Sequence, residues 1–331
     1  MQSNSCRAIG RRSAIAALAL AACAASGLAQ AQSAYPERIV TLVVPTAPGG
    51  GNDAMARVVA QKLSTMFGQQ VIVENKAGAN GSIAAEYVAR APGDGYTLLF
   101  GYIGTHGMNP ALQKLRYDPV ASFEPIGMVC TSPTLMVVNP AVPARSVDEL
   151  VKAMRARPDQ FNYASAGNGT APHFAAEMFK LATKAEMAHV PYKGSAPAMG
   201  DTVAGQTQVM FPSLFTAYPF VKAGKLRALG VAGPKRSSTM PDVPTLEELG
   251  IKGVDVTQWY AIFAPARTPR PIVDKLNTAL NAALADKDVA NRIESHGAVV
   301  ETSTPDQLRM KVRSEVAKWR GVVESAKLQP D

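Results

Sequence analysis

The fold is decided by one stretch near the start of the chain, Val43-Val44-Pro45-Thr46-Ala47-Pro48-Gly49-Gly50-Gly51-Asn52-Asp53. Residues 39–44 form an apolar, β-branched run, and residues 53–67 carry apolar side chains at helical spacing. The stretch therefore predicts a strand, a glycine-rich turn and a helix, with Asn52 as the helix N-cap. Glycines let a backbone approach a ligand closely, and the first amides of a helix favour an anion. A tight turn that binds nothing fits these residues equally well.

The same alternation of short apolar strands and helices continues along the chain. Further strand-like segments occur at residues 71–73, 96–102, 135–138, 161–165, 187–190, 209–211, 226–232 and 260–264. Repeated strand–helix units with short buried strands predict an α/β fold with parallel sheets covered on both faces. Helices dominate after Trp259. We interpret residues 36–133 with residues 258–331 as one domain and residues 134–257 as a second, so that the chain crosses between them twice.

Composition excludes several classes of protein. With 47% apolar and 18% charged residues, the chain can bury a large core, which excludes a disordered protein. The net charge is +8, and three of these charges are Arg7, Arg11 and Arg12. Without residues 1–31 the chain keeps 31 basic and 26 acidic residues, with no Lys/Arg cluster longer than a pair. A nucleic-acid footprint needs a basic patch, so no nucleic-acid partner is expected. This mild excess of positive charge is typical of an ordinary protein surface, and it would also attract small anions.

Residues 1–31 are predicted to be a signal peptide. A basic start is followed by a small-residue apolar run, and Ala29-Gln30-Ala31 supplies a small-x-small cleavage site. We therefore expect export to the periplasm and a mature chain that begins at Gln32. Two features leave alternatives open: Arg11-Arg12 weakly resembles a twin-arginine signal, and the segment that ends at Cys23 resembles a lipoprotein box, which would leave a lipid anchor.

Cysteine and histidine usage predicts neither a disulfide nor a metal site. Loss of the signal peptide leaves Cys130 alone. The four histidines are far apart in sequence, and none has a metal-ligand spacing. No cofactor is expected either, because neither glycine-rich turn matches a phosphate loop or a dinucleotide fingerprint.

A second glycine-rich stretch, residues 163–173, has the same pattern of a strand, a turn of small residues and a helix. A strand ends in small residues, and Thr170 offers a hydroxyl N-cap to the next helix. Two such loops, one in each domain, could close on one anion. Residues 163–167 also imitate a nucleophile elbow around Ser165, but Tyr163 replaces its leading glycine. His173 lies only one to two helical turns further on, so a catalytic pair is weakly supported.

Seven short motifs occur in order along the chain. They are residues 35–39 (YPERI), the loop 44–53, and residues 73–81 (VENKAGANG), 94–98 (DGYTL), 117–119 (YDP), 189–194 (HVPYKG) and 241–245 (PDVPT). Singly each is weak, but the ordered set is specific. It resembles the substrate-binding receptors of tripartite tricarboxylate transporters, also called the Bordetella uptake gene family. The resemblance covers essentially the whole chain after the signal peptide.

The resemblance implies a two-domain, periplasmic-binding-protein-like α/β fold in which two crossing strands form the hinge. It further implies a monomeric periplasmic receptor, not an enzyme, that closes on a small organic carboxylate and delivers it to integral-membrane transporter subunits. In this family, backbone amides and hydroxyls of two loops hold the carboxylate. Carried over by motif, these are Ala47, Pro48, Gly49, Gly50, Gly51 and Asp53, and Ser165, Ala166, Gly167, Asn168, Gly169 and Thr170.

A few residues outside the two loops are further candidates. Thr105 and His106 lie on a loop predicted at the crevice, where a histidine would titrate in the pocket. Ser213 is either a hydrogen-bond donor to the ligand or a helix cap. Lys193 either attracts the anion or is a solvated lysine on a turn.

Two other functions stay open at this point. One is an exported serine hydrolase that uses Ser165 and a histidine. The other is a ligand sensor that presents the same pocket to a membrane signalling protein.

Overall fold

The computed structural model describes residues 35–326 of the chain. The chain divides into two units, Met1–Glu37 and Arg38–Asp331. Only residues 35–37 of the first unit are described, and the peptide bond between Tyr35 and Pro36 is cis. The predicted signal peptide, with Cys23, lies outside the described residues. All the strands and helices named below belong to the second unit.

The second unit begins with parallel strand–helix units, as the sequence predicts. Strand β1 pairs in parallel with β2 on one side and with β3 on the other. The elements are β1 (Val40–Val44), α1 (Gly51–Phe67), β2 (Val71–Asn75), a 3₁₀ turn (Ala79–Gly81), α2 (Ser82–Ala89), β3 (Thr97–Tyr102), a π-helical turn (Gly104–Met108) and α3 (Asn109–Leu112).

A long strand, β4 (Phe123–Val138), then connects two groups of strands. Its residues from Phe123 to Pro133 pair with β9 (Thr257–Pro265), which in turn pairs with β3. Its last residues, from Thr134 to Val138, pair instead with β8 (Arg227–Ala232). One strand therefore belongs to both groups.

The middle of the chain repeats the parallel arrangement in the second group, where β5 pairs in parallel with β6 and β7. The elements are α4 (Val147–Ala156), a 3₁₀ turn (Pro158–Gln160), β5 (Asn162–Ser165), α5 (Ala171–Thr183), β6 (Ala188–Pro191), α6 (Ser195–Val203), β7 (Val209–Met210) and α7 (Leu214–Lys222). The chain then returns through β9 and ends in α8 (Arg270–Ala285), α9 (Lys287–Glu294), β10 (Val299–Val300) and α10 (Pro305–Ala326).

The strand order is β2-β1-β3-β9-β4-β7-β5-β6, with β8 and β10 also paired to β4. The predicted α/β class is confirmed, and parallel pairs occur in both groups of strands, but the sheet is mixed. Strands β4 and β9 run antiparallel to their neighbours, because the chain passes through the sheet once in each direction. No helix within residues 35–326 is both long and apolar enough to cross a membrane.

The sheet carries a core of fully buried side chains, and His106 belongs to it. Its ring stacks on Phe263, with the centroids 3.8 Å apart, and lies 4.8 Å from the ring of Phe123. Its Nδ1 lies 2.9 Å from Thr105 Oγ1, while its buried Nε2 has no hydrogen-bond partner among the described residues. Burial lowers the pKa of His106 to about 3. The structure therefore holds this histidine neutral.

Replacing His106 by Gln, which does not titrate, is expected to flatten the pH dependence of stability. The unfolded chain protonates this histidine near pH 6.5, whereas the folded protein keeps it neutral down to about pH 3. Because only the unfolded state binds this proton between pH 6.5 and about pH 3, the free energy of unfolding falls by about 1.4 kcal/mol for each pH unit below 6.5. Above pH 6.5 His106 is neutral in both states, and its contribution to stability is fully present. Urea unfolding of both proteins at about pH 7 and about pH 5 measures the difference. An equal difference in unfolding free energy at both pH values would contradict the neutral, buried state of His106.

Candidate ligand-binding cleft

The carboxyl ends of two sets of parallel strands open onto one cavity of about 790 Å³. Its lining residues between 45 and 113 form what we call the first wall, and those between 166 and 195 form the second wall; Gln258 on β9 also lines it. Ligand sites in open α/β sheets lie beyond the carboxyl ends of strands, and a cavity of this volume suits a small molecule. The two glycine-rich stretches of the sequence therefore do face one cavity.

The first wall ends in the positive end of helix α1. Gly50 is the N-cap, with extended backbone at φ −83°, and the first hydrogen bond within the helix runs from Ala54 N to Gly50 O. The amides of Gly51, Asn52 and Asp53 precede that bond and have no acceptor within the helix. The prediction of Asn52 as N-cap is wrong, because the helix begins at Gly51, two residues before the predicted start at Asp53. The side chain of Asn52 therefore does not cap the helix and can make other contacts.

The carboxylate of Asp53 holds the loop, and Asp53 is not among the residues that line the cavity. It accepts a hydrogen bond from Gly49 N at 3.0 Å and forms an ion pair with Arg57 at 2.9 Å. Asn75 Nδ2 also donates to it, at 2.9 Å. Burial raises the pKa of the Asp53 carboxyl, but the hydrogen bonds from Arg57, Gly49 and Asn75 outweigh it and hold the pKa below its ordinary value. Asp53 thus fixes the turn at Gly49, where φ is +83°.

Two side chains of the first wall have unused hydrogen-bonding capacity. Thr46 Oγ1 and Asn52 Nδ2 are buried and have no partner among the described residues, and both residues line the cavity. A buried polar atom without a partner costs free energy unless a ligand or water satisfies it. The sequence analysis did not select Thr46 as a site residue. Its position beside the glycine-rich turn, together with its hydroxyl, is the feature that could have identified it.

The loop of the second wall is held by its own hydrogen bonds. Thr170 is the N-cap of α5, and its hydroxyl donates to Gly167 O at 2.6 Å. Gly169 N donates to His173 Nδ1 at 3.1 Å. Gly167 requires the left-handed region, with φ at +121°, and a Cβ there would approach Tyr192 O to 3.1 Å. These contacts hold the loop, and Gly167, which lines the cavity, can present only backbone groups to it.

Ser165 lies beneath this loop, fully buried. Its Oγ is 2.6 Å from His189 Nε2 and accepts a hydrogen bond from Gly167 N at 3.1 Å. The ring of His189 stacks between those of Tyr163 and His173, at 4.7 and 4.5 Å. The histidine near Ser165 is therefore His189, which arrives from strand β6, and the pair supports the loop from below.

The structure brings only part of the predicted site to the cavity surface. Five of the predicted residues line it, namely Ala47, Ala166, Gly167, Asn168 and Thr170. The remaining ten lie outside the lining, namely Pro48, Gly49, Gly50, Gly51, Asp53, Thr105, His106, Ser165, Gly169 and Ser213.

Four of these ten residues have contacts that explain their position. Thr105 and His106 are in the core, since the π-helical turn points their side chains inward. Ser213 caps helix α7 by accepting from Thr216 N, which is the second of the two roles expected for it. Gly51 packs against the same helix, because a Cβ there would lie 2.8 Å from Thr216 Oγ1.

The cavity is poor in charge and rich in neutral polar groups. Lys193 is the one charged residue among its described lining residues, and its side chain is exposed. Residues that sequence reasoning did not assign to the site supply amides and phenols, namely Asn80, Tyr102, Asn109, Gln113, Tyr192 and Gln258. Among residues 35–326, no cluster of three His, Cys, Asp or Glu residues could hold a metal ion. The lining thus offers hydrogen-bond donors without an opposing carboxylate.

Comparison with known proteins agrees with this geometry. The profile of a family described as "Tripartite tricarboxylate transporter family receptor" matches residues 55–328. The protein BugT of Bordetella pertussis is 36% identical over 305 residues, which cover 91% of this chain and 93% of that protein.

Solved structures extend the likeness to the fold. The R. palustris protein Rpa4515 with adipate has a TM-score of 0.87 at 35% identity, over 90% of this chain and 100% of that one. MatC (Rpa3494) from Rhodopseudomonas palustris with bound malate has a TM-score of 0.83 at 36% identity, over 87% of this chain and 100% of that one. The expected periplasmic-binding-protein-like α/β fold is therefore confirmed. With the family profile matching most of its length, the chain belongs to the tripartite tricarboxylate transporter receptor family.

Proposed function

We propose that this protein is a periplasmic receptor that binds a small organic carboxylate in the cleft and delivers it to integral-membrane transporter subunits. The observation that carries the proposal is the unused hydrogen-bonding capacity of Thr46 and Asn52 beside the positive end of α1. A carboxylate satisfies such donors without a neighbouring cation, because helix-end amides carry partial positive charge. The carboxylates bound by Rpa4515 and MatC, adipate and malate, support this class of ligand.

The ligand in this proposal is held by the glycine-rich loops, with two additions. The predicted set runs over residues 47–51 with Asp53, residues 165–170, Thr105, His106 and Ser213. Thr46 and Asn52 join it as direct donors. In the first loop Asp53 acts by fixing the turn, since its oxygens are engaged by Gly49, Arg57 and Asn75. In this scheme Thr105, His106 and Ser213 support the walls from outside the lining.

The proposal keeps two domains, residues 36–133 with 258–331 and residues 134–257, hinged on β4 and β9. Support comes from β4, whose pairing changes from β9 to β8 between Pro133 and Thr134. Gln258 Nε2 donates to Thr134 Oγ1 at 3.1 Å at this crossing. We further propose that a cleavable signal peptide over residues 1–31 directs export and that no lipid anchor forms at Cys23. We also propose that the protein is a monomer.

One observation favours the second candidate, an exported serine hydrolase, namely the 2.6 Å contact between Ser165 Oγ and His189 Nε2. Against it, Ser165 is fully buried and outside the cavity lining. We therefore propose no enzymatic activity, and labelling of Ser165 by a serine-reactive phosphonate would favour the hydrolase. A sensor for a membrane signalling protein would use the same cleft, and loss of carboxylate uptake on deletion of the gene separates transport from sensing.

Adipate and malate are expected to stabilise the protein, whereas their uncharged diamides are not. A ligand at a hundredfold excess over its Kd contributes about 2.7 kcal/mol, which corresponds to a rise in Tm of at least about 3 °C. Thermal shift measurements over di-, tri- and aromatic carboxylates with matched amides test this. If no carboxylate raises the Tm, or if the amides raise it equally, the proposed ligand class is wrong.

Substitutions at Thr46 and Asn52 are expected to weaken carboxylate binding far more than a substitution at Lys193. Thr46→Val removes one hydroxyl at nearly constant volume, and Asn52→Asp places a negative charge beside the ligand. Loss of one charge-assisted hydrogen bond corresponds to about a tenfold to hundredfold rise in Kd. Lys193→Ala removes an exposed charge and should change Kd by less than about fivefold.

Isothermal titration with the best ligand of the thermal shift panel measures these Kd values, and circular dichroism verifies that each variant is folded. The neutral-donor mechanism is contradicted if Lys193→Ala abolishes binding while Thr46→Val and Asn52→Asp bind like the wild type.

A further inference from the structure

The loop between β2 and α2 holds a residue in an uncommon backbone conformation. Asn80 lies in the left-handed region, with φ at 48° and ψ at 38°, directly after Ala79 at φ 46°. Among residues with a side chain, Asn tolerates this region best. Both residues line the cavity on the first wall. The conformation fixes where the side chain of Asn80 points.

That side chain reaches across the cleft. Asn80 Nδ2 donates a hydrogen bond of 2.6 Å to the carbonyl oxygen of Gly169, in the loop of the second wall. The walls approach closely here, because a Cβ on Gly169 would lie 2.9 Å from Leu112 Cδ2. The walls also come near each other at another part of the rim, since a Cβ on Gly194 would lie 3.9 Å from Ala47 Cβ.

Neighbouring side chains fix the orientation of the Asn80 amide. The hydroxyl of Tyr102 donates to Asn80 Oδ1 at 2.6 Å, so the NH₂ group must face the other way, toward Gly169. Asn109 Oδ1 accepts from Asn80 Nδ2 at 2.7 Å, and Asn109 Nδ2 donates to the Asn80 carbonyl at 2.9 Å. Asn109 is anchored in turn by Ser82 Oγ at 3.0 Å. The amide is thus preorganised as a donor across the cleft.

We propose that Asn80 is a latch that holds the two walls of the cleft together, with Tyr102 and Asn109 as its positioning residues. Closed and open forms of a hinged receptor differ by little free energy, so one preorganised hydrogen bond shifts their populations measurably. The latch serves the proposed receptor function, on which its biological role rests. All of its contacts are between groups of the protein itself, so it can be tested on the protein without a ligand.

The test is amide hydrogen exchange of the ligand-free protein at residues 166–170. In this loop the amides of Gly167, Gly169 and Thr170 are hydrogen-bonded within the second wall, so their exchange reports loop opening. Asn80→Asp keeps the size and backbone preference but places an oxygen opposite the Gly169 carbonyl. We expect exchange at residues 166–170 to become about tenfold faster, the effect of losing one buried hydrogen bond and adding a repulsion.

Two further variants separate a latch from a local structural role. Asn80→Gly removes the amide while relieving the left-handed strain, so it should stay folded and accelerate exchange about fivefold. Asn291→Asp makes the same chemical change on the exposed face of α9, far along the chain, and should leave residues 166–170 unchanged.

The latch is overturned if neither Asn80 variant accelerates exchange at residues 166–170, or if only residues 77–81 respond. Failure of the receptor proposal has a different signature, because it appears in the thermal shift measurements with carboxylates and leaves the exchange result intact.

Discussion

The structure depends on the pairing of two long antiparallel strands, β4 and β9. From Phe123 to Pro133, β4 pairs with β9, and from Thr134 onward it pairs with β8 and β7. A single strand thereby fixes the relative positions of two sets of parallel strands. Because the loops that follow those strands lie at their carboxyl ends, this shared strand brings segments as distant as residues 45–47 and 191–195 to one cavity.

The cleft is lined by neutral hydrogen-bond donors, and Lys193, with its exposed side chain, is the one charged residue among the described lining residues. Asp53, at the end of the first loop, forms an ion pair with Arg57 and accepts a hydrogen bond from Gly49 N, which fixes the turn. A cation beside the ligand would raise the affinity for most anions alike. Amides and hydroxyls with fixed directions instead favour ligands of one geometry. The same directed chemistry recurs at Asn80, where Tyr102 orients an amide toward the opposite wall.

Histidines illustrate how context decides the role of a residue. His106 was expected at the crevice, yet it stacks on Phe263 in the core as a neutral ring. His189 and His173 stack on each other beneath the second loop, where they hold Ser165 and Gly169. In sequence these histidines are 16 residues apart on different elements, and neither the stack nor the contact with Ser165 follows from the spacing.

The sequence by itself determined the alternation of strands and helices, the two glycine-rich loops and the family, because periodicity and turn chemistry are local properties. It missed the first part of β4, where Pro125, Gly127 and Pro133 interrupt the apolar pattern. Helix α7, which contains Pro219, was anticipated only through the alternative role of Ser213 as a helix cap. Only the tertiary structure decided which side chains face the cavity. Asn52 does not cap the helix because the helix starts at Gly51, and the buried donors of Thr46 and Asn52 have no partner among the described residues. Asn80 meets Gly169 across 89 residues of sequence. Such contacts depend on how strands fix distant loops in space, and no local pattern carries that information.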